Sequence, residues 1–297
     1  IEHIQKTAWP SGTTRYQGCE VTLSGIVTAD TSQYLSGYSS YVFQDGSGQW
    51  SGLVFDTQEM VILSRGDNVN VTGFVEDFDP DWHFKFDGNY FSRSSLNYLL
   101  GLSYLKKVAP HFVPRKVLEI GGGFGTLGEI IFKSKIADFK YIDLDLPPMF
   151  LIARDYLKAC IKNTELFFVE DYNASKELGI DNLPQISCLP NWYIKRLRGD
   201  IDLFVNFISF QEMEPDIVEN YANQVIQLRP TYVLLRNLRE GKQVSKNGSL
   251  GVKRPILKND YISYFKGYTL VGSNVCPFGY ETVDGFHSEL LVLEKNG

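Results

Sequence analysis

Apolar and polar residues alternate along residues 1–92 in short runs with a period of two. This period is typical of strands that bury one face and expose the other. Glycine-rich turns separate the runs, and no helical spacing lies between them. We predict four strands, at Val21–Ala29, Tyr41–Asp45, Gly52–Asp56 and Asp67–Val75. Short strands in this arrangement indicate a small all-β barrel.

The pattern changes within residues 83–93, from acidic β-structure to helix-forming sequence. A helix capped by Ser94 or Ser95 is predicted to lead to Pro110, and strands and helices alternate after it. Strands are expected near residues 116–121, 139–144, 165–169, 201–206, 231–236, 268–272 and 288–294, and helices near 126–137, 148–160, 190–198, 214–228 and 258–265. This alternation predicts an α/β domain with a parallel sheet between two helical layers. We therefore divide the chain into domains 1–92 and 93–297.

The run Lys116–Thr126 reads Lys-Val-Leu-Glu-Ile-Gly-Gly-Gly-Phe-Gly-Thr and predicts a buried strand, a tight turn and the start of a helix. Glycines allow the backbone to adopt positive φ and to approach a ligand closely. The helix that follows presents unpaired N–H groups above the turn. We expect a ligand site at this turn, although a glycine motif alone is also compatible with a purely structural turn.

Two ligand classes use such turns. The dinucleotide pattern G-x-G-x-x-G/A, started at Gly121 and Gly123, places Thr126 in the third glycine position. The pattern acid-x-G-x-G-x-G is met in full by Glu119, Gly121, Gly123 and Gly125. The second pattern therefore fits better.

Acidic residues follow the next predicted strand, in Tyr141–Pro147. Ligands of open parallel sheets bind at the carboxyl ends of the strands, where a carboxylate can accept hydrogen bonds from both hydroxyls of a ribose. Asp143 and Asp145 are the candidates. The alternative is that one of these acids caps the predicted helix 148–160.

Polar residues also follow the fourth and fifth predicted strands of the second domain. Asn206, Ser209, Gln211 and Glu212 leave the fourth strand, and Arg236 and Asn237 leave the fifth, ahead of a loop that contains Lys242, Lys246, Lys253 and Arg254. These bases are suited to a phosphate, a carboxylate or a nucleotide sugar, or they simply solvate the loop. His287 precedes the last strand, and it or Glu212 is a candidate general base.

Residues 15–85 resemble an OB-fold module found beside secreted nucleases and surface lipoproteins. The likeness lies in a strand ending Phe43-Gln-Asp-Gly-Ser-Gly48, followed by Trp50-Ser-Gly52 and a second strand. Such barrels bind oligonucleotides or oligosaccharides on aromatic side chains. The aromatic residues available for this, or for the barrel core, are Tyr34, Tyr38, Tyr41, Phe43, Trp50 and Trp82.

The second domain resembles S-adenosylmethionine (SAM) dependent methyltransferases of class I. The glycine turn resembles their first motif, and Asp145-Leu-Pro147 before an apolar helix resembles small-molecule O-methyltransferases. The run Asn206-Phe-Ile-Ser-Phe-Gln-Glu-Met213 and a closing Phe286-His-Ser-Glu289 are similar to bacterial sugar O-methyltransferases over residues 93–297.

The resemblance implies a Rossmann-like, seven-stranded sheet, SAM as cofactor, and methylation of a hydroxyl of a sugar or glycan-related small molecule. The cofactor residues it implies are Glu119, Gly121, Gly123, Gly125, Asp145 with Asp143 in reserve, and Asp171 for the adenine; Asn206, Ser209, Arg236 and Asn237 would bind the acceptor, and His287 or Glu212 would take its proton.

Charge is distributed unevenly along the 297 residues. Residues 1–92 contain 12 acidic and 4 basic side chains, net −8, and the whole chain has a net charge of −6. The acidic domain repels polyanions, so duplex nucleic acid is not an expected partner. No apolar run reaches the length of a membrane span, and the first residues lack the basic-then-apolar pattern of a secretory leader, so we expect neither feature.

Cys19, Cys160, Cys188 and Cys276 lack the C-x-x-C spacing of zinc sites and point to free thiols in a reducing compartment, with a Cys19–Cys276 disulfide as the alternative. The aspartates at 77, 79 and 81 lack the glycine and glutamate of a calcium loop, and the four histidines show no metal spacing. We therefore expect no metal.

Two other functions remain compatible with these patterns. A nicotinamide-dependent oxidoreductase would share the glycine turn, but Thr126 and the lack of a Tyr-x-x-x-Lys motif disfavour it. A binding protein would capture glycans or single strands on the barrel and carry an inactive second domain. Because SAM is a cytosolic metabolite, we expect a cytoplasmic protein, in conflict with the secreted modules that the barrel resembles.

Overall fold

The fold is taken from a computed structural model of the chain. It describes residues 19–30, 39–46, 52–57, 63–75, 83–86, 89–161, 166–168, 177–245, 251–275 and 287–297. Two compact units make up the chain, Ile1–Ser92 and Arg93–Gly297. Their boundary falls where the composition of the sequence changes.

The first unit is built of β-strands in its described part. They are β1 (Glu20–Asp30), β2 (Ser39–Gln44), β3 (Gly52–Thr57), β4 (Asn68–Phe74), β5 (His83–Phe86) and β6 (Asn89–Ser92). The first four pair in the order β3-β2-β1-β4, all antiparallel, and β5 pairs with β6 in a separate hairpin. The four strands predicted from the period of two are therefore present.

Strand β1 packs closely on β2. A Cβ atom at Gly25 would lie 2.6 Å from the carbonyl oxygen of Gln44, so only glycine fits at this crossing. Val27, Tyr41 and Phe43 are fully buried in this unit. The alternative of core aromatics is therefore correct for Tyr41 and Phe43.

The other four aromatic residues considered as ligand platforms, the aspartates at 77, 79 and 81, and Cys276 lie outside the described residues. The strand pairings of the described part form an open order of four, without a pair that would close it into a barrel. The OB-like barrel stays a prediction.

The second unit alternates strands and helices. Its strands are β7 (Lys116–Ile120), β8 (Lys140–Asp145), β9 (Leu166–Phe168), β10 (Leu178–Gly179), β11 (Ile186–Pro190), β12 (Leu197–Arg198), β13 (Leu203–Phe207), β14 (Tyr232–Leu238), β15 (Tyr268–Val275) and β16 (Ser288–Lys295). Its helices are α1 (Arg93–Val108), α2 (Thr126–Lys133), α3 (Met149–Cys160), α4 (Pro215–Gln227) and α5 (Lys258–Tyr264). Short 3₁₀ segments cover Ile180–Asn182, Asn191–Arg196 and Ser209–Glu212.

Eight of these strands form one sheet in the order β15-β16-β14-β13-β7-β8-β11-β9. The six strands from β14 to β9 run parallel, and β16 runs antiparallel to both of its neighbours. β10 and β12 form a separate two-stranded parallel sheet. The second unit is thus a mixed α/β domain with a mostly parallel central sheet.

The helices cover both faces of this sheet. One apolar core joins α1, α2 and α3 to it through Leu105, Leu127 and Leu157. The other core joins α4 and α5 to the opposite face through Val218 and Tyr261. Both helical layers are needed because central parallel strands are buried on both sides.

The sheet differs from the expected seven strands by the addition of β11, which lies between β8 and β9. All five residues of β11 are buried, and a proline ends it. The run is short and ends in proline, so its sequence does not stand out as a strand, and we predicted none there. We predicted a helix over the residues that follow, 190–198. The structure has a six-residue 3₁₀ helix there, Asn191–Arg196.

Helix α2 is also shorter than the predicted 126–137. Lys135 and Asp138 have φ angles of 57° and 54°, outside the right-handed helical region. Among the described residues, no helix is both long and apolar enough to cross a membrane.

Candidate active site

Strand β7 lies at the point where the strand order of the sheet reverses. The chain continues from β7 to β8 on one side and later returns to β13 on the other. The loops that leave β7 and β13 therefore diverge and open a crevice at the carboxyl ends of the strands. The glycine turn occupies this crevice.

Three glycines of the turn have positive φ, which is 77° at Gly121, 60° at Gly123 and 77° at Gly125. The amide of Gly121 donates to the carbonyl of Leu144 on β8, which fixes the start of the turn. A Cβ atom at Gly121 would lie 2.2 Å from Oγ of Ser209, whereas one at Gly123 would meet nothing within 4 Å. The turn is thus closed at Gly121 and open to a ligand at Gly123.

Glu119 is fully buried beneath the turn. Its Oε1 accepts a hydrogen bond from the hydroxyl of Tyr98 at 2.7 Å, and its Oε2 accepts one from Tyr141 at 2.5 Å. Burial raises the pKa of Glu119 to about 7, against the opposing effect of the two tyrosine hydrogen bonds. Burial therefore favours the protonated, uncharged form of this acid.

Two aspartates of β8 bind backbone amides of the turn. Oδ1 of Asp143 accepts from the amide of Gly122 at 3.2 Å, and Oδ2 of Asp145 accepts from the amide of Gly123 at 2.9 Å. Burial raises the pKa of both carboxyls. Oδ2 of Asp143 is buried without a hydrogen-bond partner, so one strong acceptor is unused.

These three acids have only hydroxyl and amide partners. Among the described residues, no lysine, arginine or histidine forms an ion pair with Glu119, Asp143 or Asp145. Buried carboxyls without a counter-ion favour a ligand that carries hydroxyl groups or positive charge. We name this set the acidic pocket.

Asn206 and Ser209 support the glycine turn from β13. Nδ2 of Asn206 and Oγ of Ser209 donate to the carbonyl of Ile120 at 2.9 and 3.0 Å. Ile208 between them has φ 73°, which is a strained conformation for a β-branched residue. Such strain is held only where the surroundings impose it, and it is concentrated at functional sites.

The hydrogen bonds continue from β13 to β14. Oδ1 of Asn206 accepts from Nδ2 of Asn237, and Oδ1 of Asn237 accepts from the amide of Gln211, each at 3.2 Å. Oε1 of Gln211 in turn accepts from the amide of Leu238 at 2.9 Å. Asn206 is fully buried and its amide is used within the protein, so its contact with a ligand stays a prediction.

Arg236 is only 5% exposed, yet its Nε and Nη1 lack hydrogen-bond partners. It lies at the carboxyl end of β14, opposite Phe207 of β13 and Leu290 of β16. A buried guanidinium is costly unless an anion or an acceptor group pairs with it. Arg236 is therefore a candidate contact for a ligand.

His287 is held by an acid that the sequence did not indicate. Its Nδ1 lies 2.7 Å from Oε1 of Glu240, and its backbone amide donates to Oε2 of the same carboxylate at 2.8 Å. The side chain of His287 is 34% exposed. When Nδ1 donates to the carboxylate, Nε2 is left as a proton acceptor, which is the arrangement of a general base.

Glu212, the other candidate base, is paired with a cation. Its Oε1 lies 2.9 Å from Nζ of Lys242, and both side chains are partly exposed.

The structure brings the predicted residues to one edge of the sheet, in two groups. The glycines, Glu119, Asp143 and Asp145 lie at β7 and β8, with Asn206 and Ser209 beside them. His287 precedes β16, three strands from β7, which corresponds to about 14 Å at the usual strand spacing. Asp171 lies outside the described residues.

β9, the third predicted strand of this unit, pairs with β11 in the sheet, and β11 is the neighbour of β8. Sequence reasoning also missed Tyr98, Tyr141 and Glu240, whose only sequence signals were ordinary positions in a helix, a strand and a loop. The described residues contain no group of three histidines, cysteines or acids that could hold a metal ion.

No protein-family model matches the sequence, and no curated protein matches it either. Solved structures do match. The magnesium protoporphyrin IX methyltransferase of Synechocystis PCC 6803 with bound S-adenosylhomocysteine (SAH) has 9% identity and a TM-score of 0.47, covering 68% of this chain and 83% of that one.

A SAM-dependent methyltransferase of Clostridium acetobutylicum ATCC 824 has 11% identity and a TM-score of 0.45, covering 70% of this chain and 93% of that one. Mitomycin 7-O-methyltransferase has 13% identity and a TM-score of 0.42 over 66% of this chain, which spans 54% of that protein. These similarities are weak in sequence and in superposition.

Proposed function

We propose that the second unit is a SAM-dependent O-methyltransferase. The observation that carries this proposal is the acidic pocket, in which the amides of Gly122 and Gly123 bind Asp143 and Asp145 beside buried Glu119. The pocket lies at the switch point of a mostly parallel sheet, where such folds bind nucleotide-like ligands.

The residues present fit SAM. The open space above Gly123 leaves room for a ligand close to the backbone, and the unused Oδ2 of Asp143 is a buried acceptor that a polar ligand would satisfy. Each oxygen of Asp145 accepts a single N–H, from Gly123 or Leu146, so both retain capacity for ribose hydroxyls. SAM when bound supplies a methyl group on a positively charged sulfonium.

Several residues would hold this cofactor. Glu119 and Asp143 supply negative charge near the glycine turn, and Asp145 accepts the ribose hydroxyls. Gly121, Gly123 and Gly125 shape the backbone for close approach, since each has positive φ. Asp171 is proposed for the adenine from the family resemblance alone.

The acceptor would lie over β13, β14 and β16. Nε2 of His287 takes the proton of the attacking hydroxyl, and Glu240 holds the imidazole in the tautomer that can do so. Arg236 and Asn237 bind the acceptor, with Ser209 at its edge, and Asn206 maintains the strand end beneath them. Glu212 is the alternative base.

A sugar or glycan-related hydroxyl remains our proposal for the acceptor, on the resemblance of Asn206–Met213 to sugar O-methyltransferases.

The first unit is proposed to be an OB-like barrel, supported by its four antiparallel strands in the described part. A cytoplasmic location is proposed because SAM is made and used in the cytosol.

Calorimetric titration with SAH tests the cofactor. We expect micromolar binding, about −8 kcal/mol, that falls at least tenfold in Asp145→Ala. Asp155→Ala is the matched control, because Asp155 is a solvated partner of Arg154 on α3. NAD titrated in parallel should not bind. NAD binding, or no SAH binding by folded protein, would show that the cofactor is wrong.

A further inference from the structure

Glu119 and Asp143, two acids of the acidic pocket, approach the same point beneath the glycine turn. A Cβ atom at Gly122 would lie 2.5 Å from Oδ1 of Asp143 and 3.0 Å from Oε2 of Glu119. The two oxygens are therefore no further apart than the sum of these distances, about 5.5 Å. Both side chains are fully buried, so solvent screens the charge of one acid from the other only weakly. We name these two acids the carboxyl pair.

The donors that bind the carboxyl pair are uncharged. Glu119 accepts from the hydroxyls of Tyr98 and Tyr141, and Oδ1 of Asp143 accepts from the amide of Gly122. Oδ2 of Asp143 is buried without a hydrogen-bond partner. A charged oxygen that is buried without a donor is costly, whereas protonation removes the charge. This oxygen therefore favours a state in which the pair holds a proton.

The groups around the carboxyl pair do not compensate its charge. The titratable side chains that face it are Tyr98 from α1, Tyr141 and Asp145 from β8, and Cys188 from β11. Arg236 lies two strands from β7, on β14, and its Nε and Nη1 bond neither acid. Burial raises the pKa of Glu119 and of Asp143, and the charges of neighbouring acids raise both further.

Two carboxylates at this separation cannot both be charged in a buried site that lacks a counter-ion. They titrate as one unit that keeps a proton, and this proton belongs to the pair rather than to one residue. A positive charge brought nearby stabilises the fully ionised pair and so displaces the proton. Gly123, the next residue after the amide that binds Asp143, has free space at its Cβ position, so a ligand can approach the turn there.

We propose that the carboxyl pair holds a shared proton in the ligand-free protein and releases it when the positive charge of the cofactor enters the acidic pocket. The O–H bond of the shared proton breaks, the proton passes to the solvent, and the cation becomes the counter-charge of the pair. The identity of the ligand rests on the proposed methyltransferase function; the shared proton does not. The pair thus makes the site selective for a nucleoside that carries positive charge.

Two groups of SAM can supply this charge, the sulfonium and the ammonium of its amino acid end. SAH keeps only the ammonium, and 5′-methylthioadenosine has neither. Calorimetric titration of the full chain with each compound, in two buffers that differ in ionisation enthalpy, counts the protons released on binding. Infrared spectroscopy of the ligand-free protein at pH 7 detects the shared proton through the C=O band of a protonated carboxylic acid.

Three variants accompany wild type. Glu119→Gln and Asp143→Asn each remove one acid of the carboxyl pair. Glu129→Gln is the matched control, because Glu129 also accepts from a tyrosine hydroxyl, that of Tyr156, but is paired with Lys133. If one pair variant does not fold, the other variant and the comparison of the three ligands in wild type still decide.

Wild type should release about one proton for each SAM bound at pH 7, and none with 5′-methylthioadenosine. SAH should also release one if the ammonium is the trigger, and none if the sulfonium is. SAM affinity should rise by up to about tenfold per pH unit between pH 6 and 8, because binding displaces a proton. In both pair variants the release should fall below about half and the infrared band should change, whereas Glu129→Gln should match wild type.

The proposal would be overturned by release of less than about 0.2 proton with SAM and SAH alike, or by equal release with 5′-methylthioadenosine. Release or an infrared band that is the same in wild type and both pair variants would also overturn it. The two failures are distinct. A shared proton without binding of SAM or SAH would reject the methyltransferase and the coupling to its cofactor, whereas binding without proton release would keep the cofactor and reject only the coupling.

Discussion

Two stretches of the same sheet edge differ in how their charged side chains are paired. At β7 and β8 the acidic pocket holds Glu119, Asp143 and Asp145 on hydroxyl and amide donors, and none of the three forms an ion pair among the described residues. At β14 and β16 the cations are closely paired with acids, as in Lys258 with Glu289. Arg236, buried and lacking partners for two nitrogens, departs from this rule.

The difference indicates what each stretch can bind. Acids without counter-ions raise one another's pKa and favour a ligand that brings positive charge and hydroxyl groups. At the other stretch, a histidine fixed by a carboxylate favours proton transfer. The part of the edge at β7 and β8 thus suits the proposed methyl donor, and the part at β14 and β16 suits the proposed acceptor. Five substitutions test this division, in order of expected effect.

Gly121→Ala should have the largest effect on cofactor binding. A Cβ there would lie 2.2 Å from Oγ of Ser209, at a φ of 77°. Overpacking and φ strain together amount to about 2–5 kcal/mol, so SAH affinity should fall about 30-fold or more. Gly123→Ala is the control, since it has φ strain but free space, and should lose about tenfold or less. Calorimetry checks both. Equal losses of SAH affinity would mean that the close approach of Ser209 to Gly121 does not affect binding.

His287→Asn should lower the rate of methyl transfer about 10²–10⁴-fold with SAH binding unchanged, because a general base contributes that much. Glu240→Gln should cost less, since it disturbs only the orientation of the imidazole. Transfer of labelled methyl from SAM to sugar hydroxyls is the assay. Glu212→Gln is the comparison, and a larger loss there than in His287→Asn would exchange the two roles.

Glu119→Gln should change how stability depends on pH. The folded-state pKa of Glu119 is about 7, above its ordinary value of 4.5. Its contribution is therefore fully present below about pH 4.5 and is lost as the pH rises through 7, in total about 3 kcal/mol.

Urea unfolding from pH 5 to 8 should show this decline in wild type and a smaller decline in Glu119→Gln. Some slope remains because the pKa of Asp143 is also raised by burial. Glu177→Gln, at an exposed ion pair with Arg198, should keep the wild-type slope. An unchanged slope in Glu119→Gln would mean that burial does not raise the pKa of this acid.

Arg236→Met should stabilise the ligand-free protein by about 1–3 kcal/mol, because it removes a buried and incompletely paired cation. The same change should weaken acceptor binding. Thermal unfolding measures the first effect, with Arg229→Met at an exposed ion pair as the control. A destabilised Arg236→Met protein would indicate that the guanidinium is satisfied within the fold.

Lys242→Gln should have the smallest effect, below about 0.5 kcal/mol, because its pair with Glu212 is partly exposed and screened by salt. Urea unfolding at low and high salt checks this. A larger loss that salt does not reduce would assign this pair to the site rather than to the surface.

Much of the fold was accessible from local pattern. The period of two predicted β1 to β4, and alternating strands and helices predicted the α/β unit with both helical layers. The run from Lys116 to Thr126 predicted its strand, turn and helix because each step depends on adjacent residues. The position of β11 could not be predicted, since the order of strands depends on pairings between distant segments.

The candidate site was likewise predictable only in part. The glycines and the acids of β7 and β8 are visible in the sequence because a motif is a local spacing, and parallel strands bring their carboxyl ends together. The partners of those residues are not visible. Tyr98 reaches Glu119 across 21 positions and Glu240 reaches His287 across 47, so each contact exists only once helix and strand are packed.

The sequence by itself determined the turn at which we propose that a ligand binds, through glycines that require positive φ and acids that end buried strands. Only the tertiary structure decided the charge state and the pairing of those groups. Burial and the distance to a partner set a pKa, and neither is encoded within a short stretch of chain. The unpaired buried atoms of Asp143 and Arg236, which support the proposed function, depend on contacts between distant segments and are not visible in the sequence.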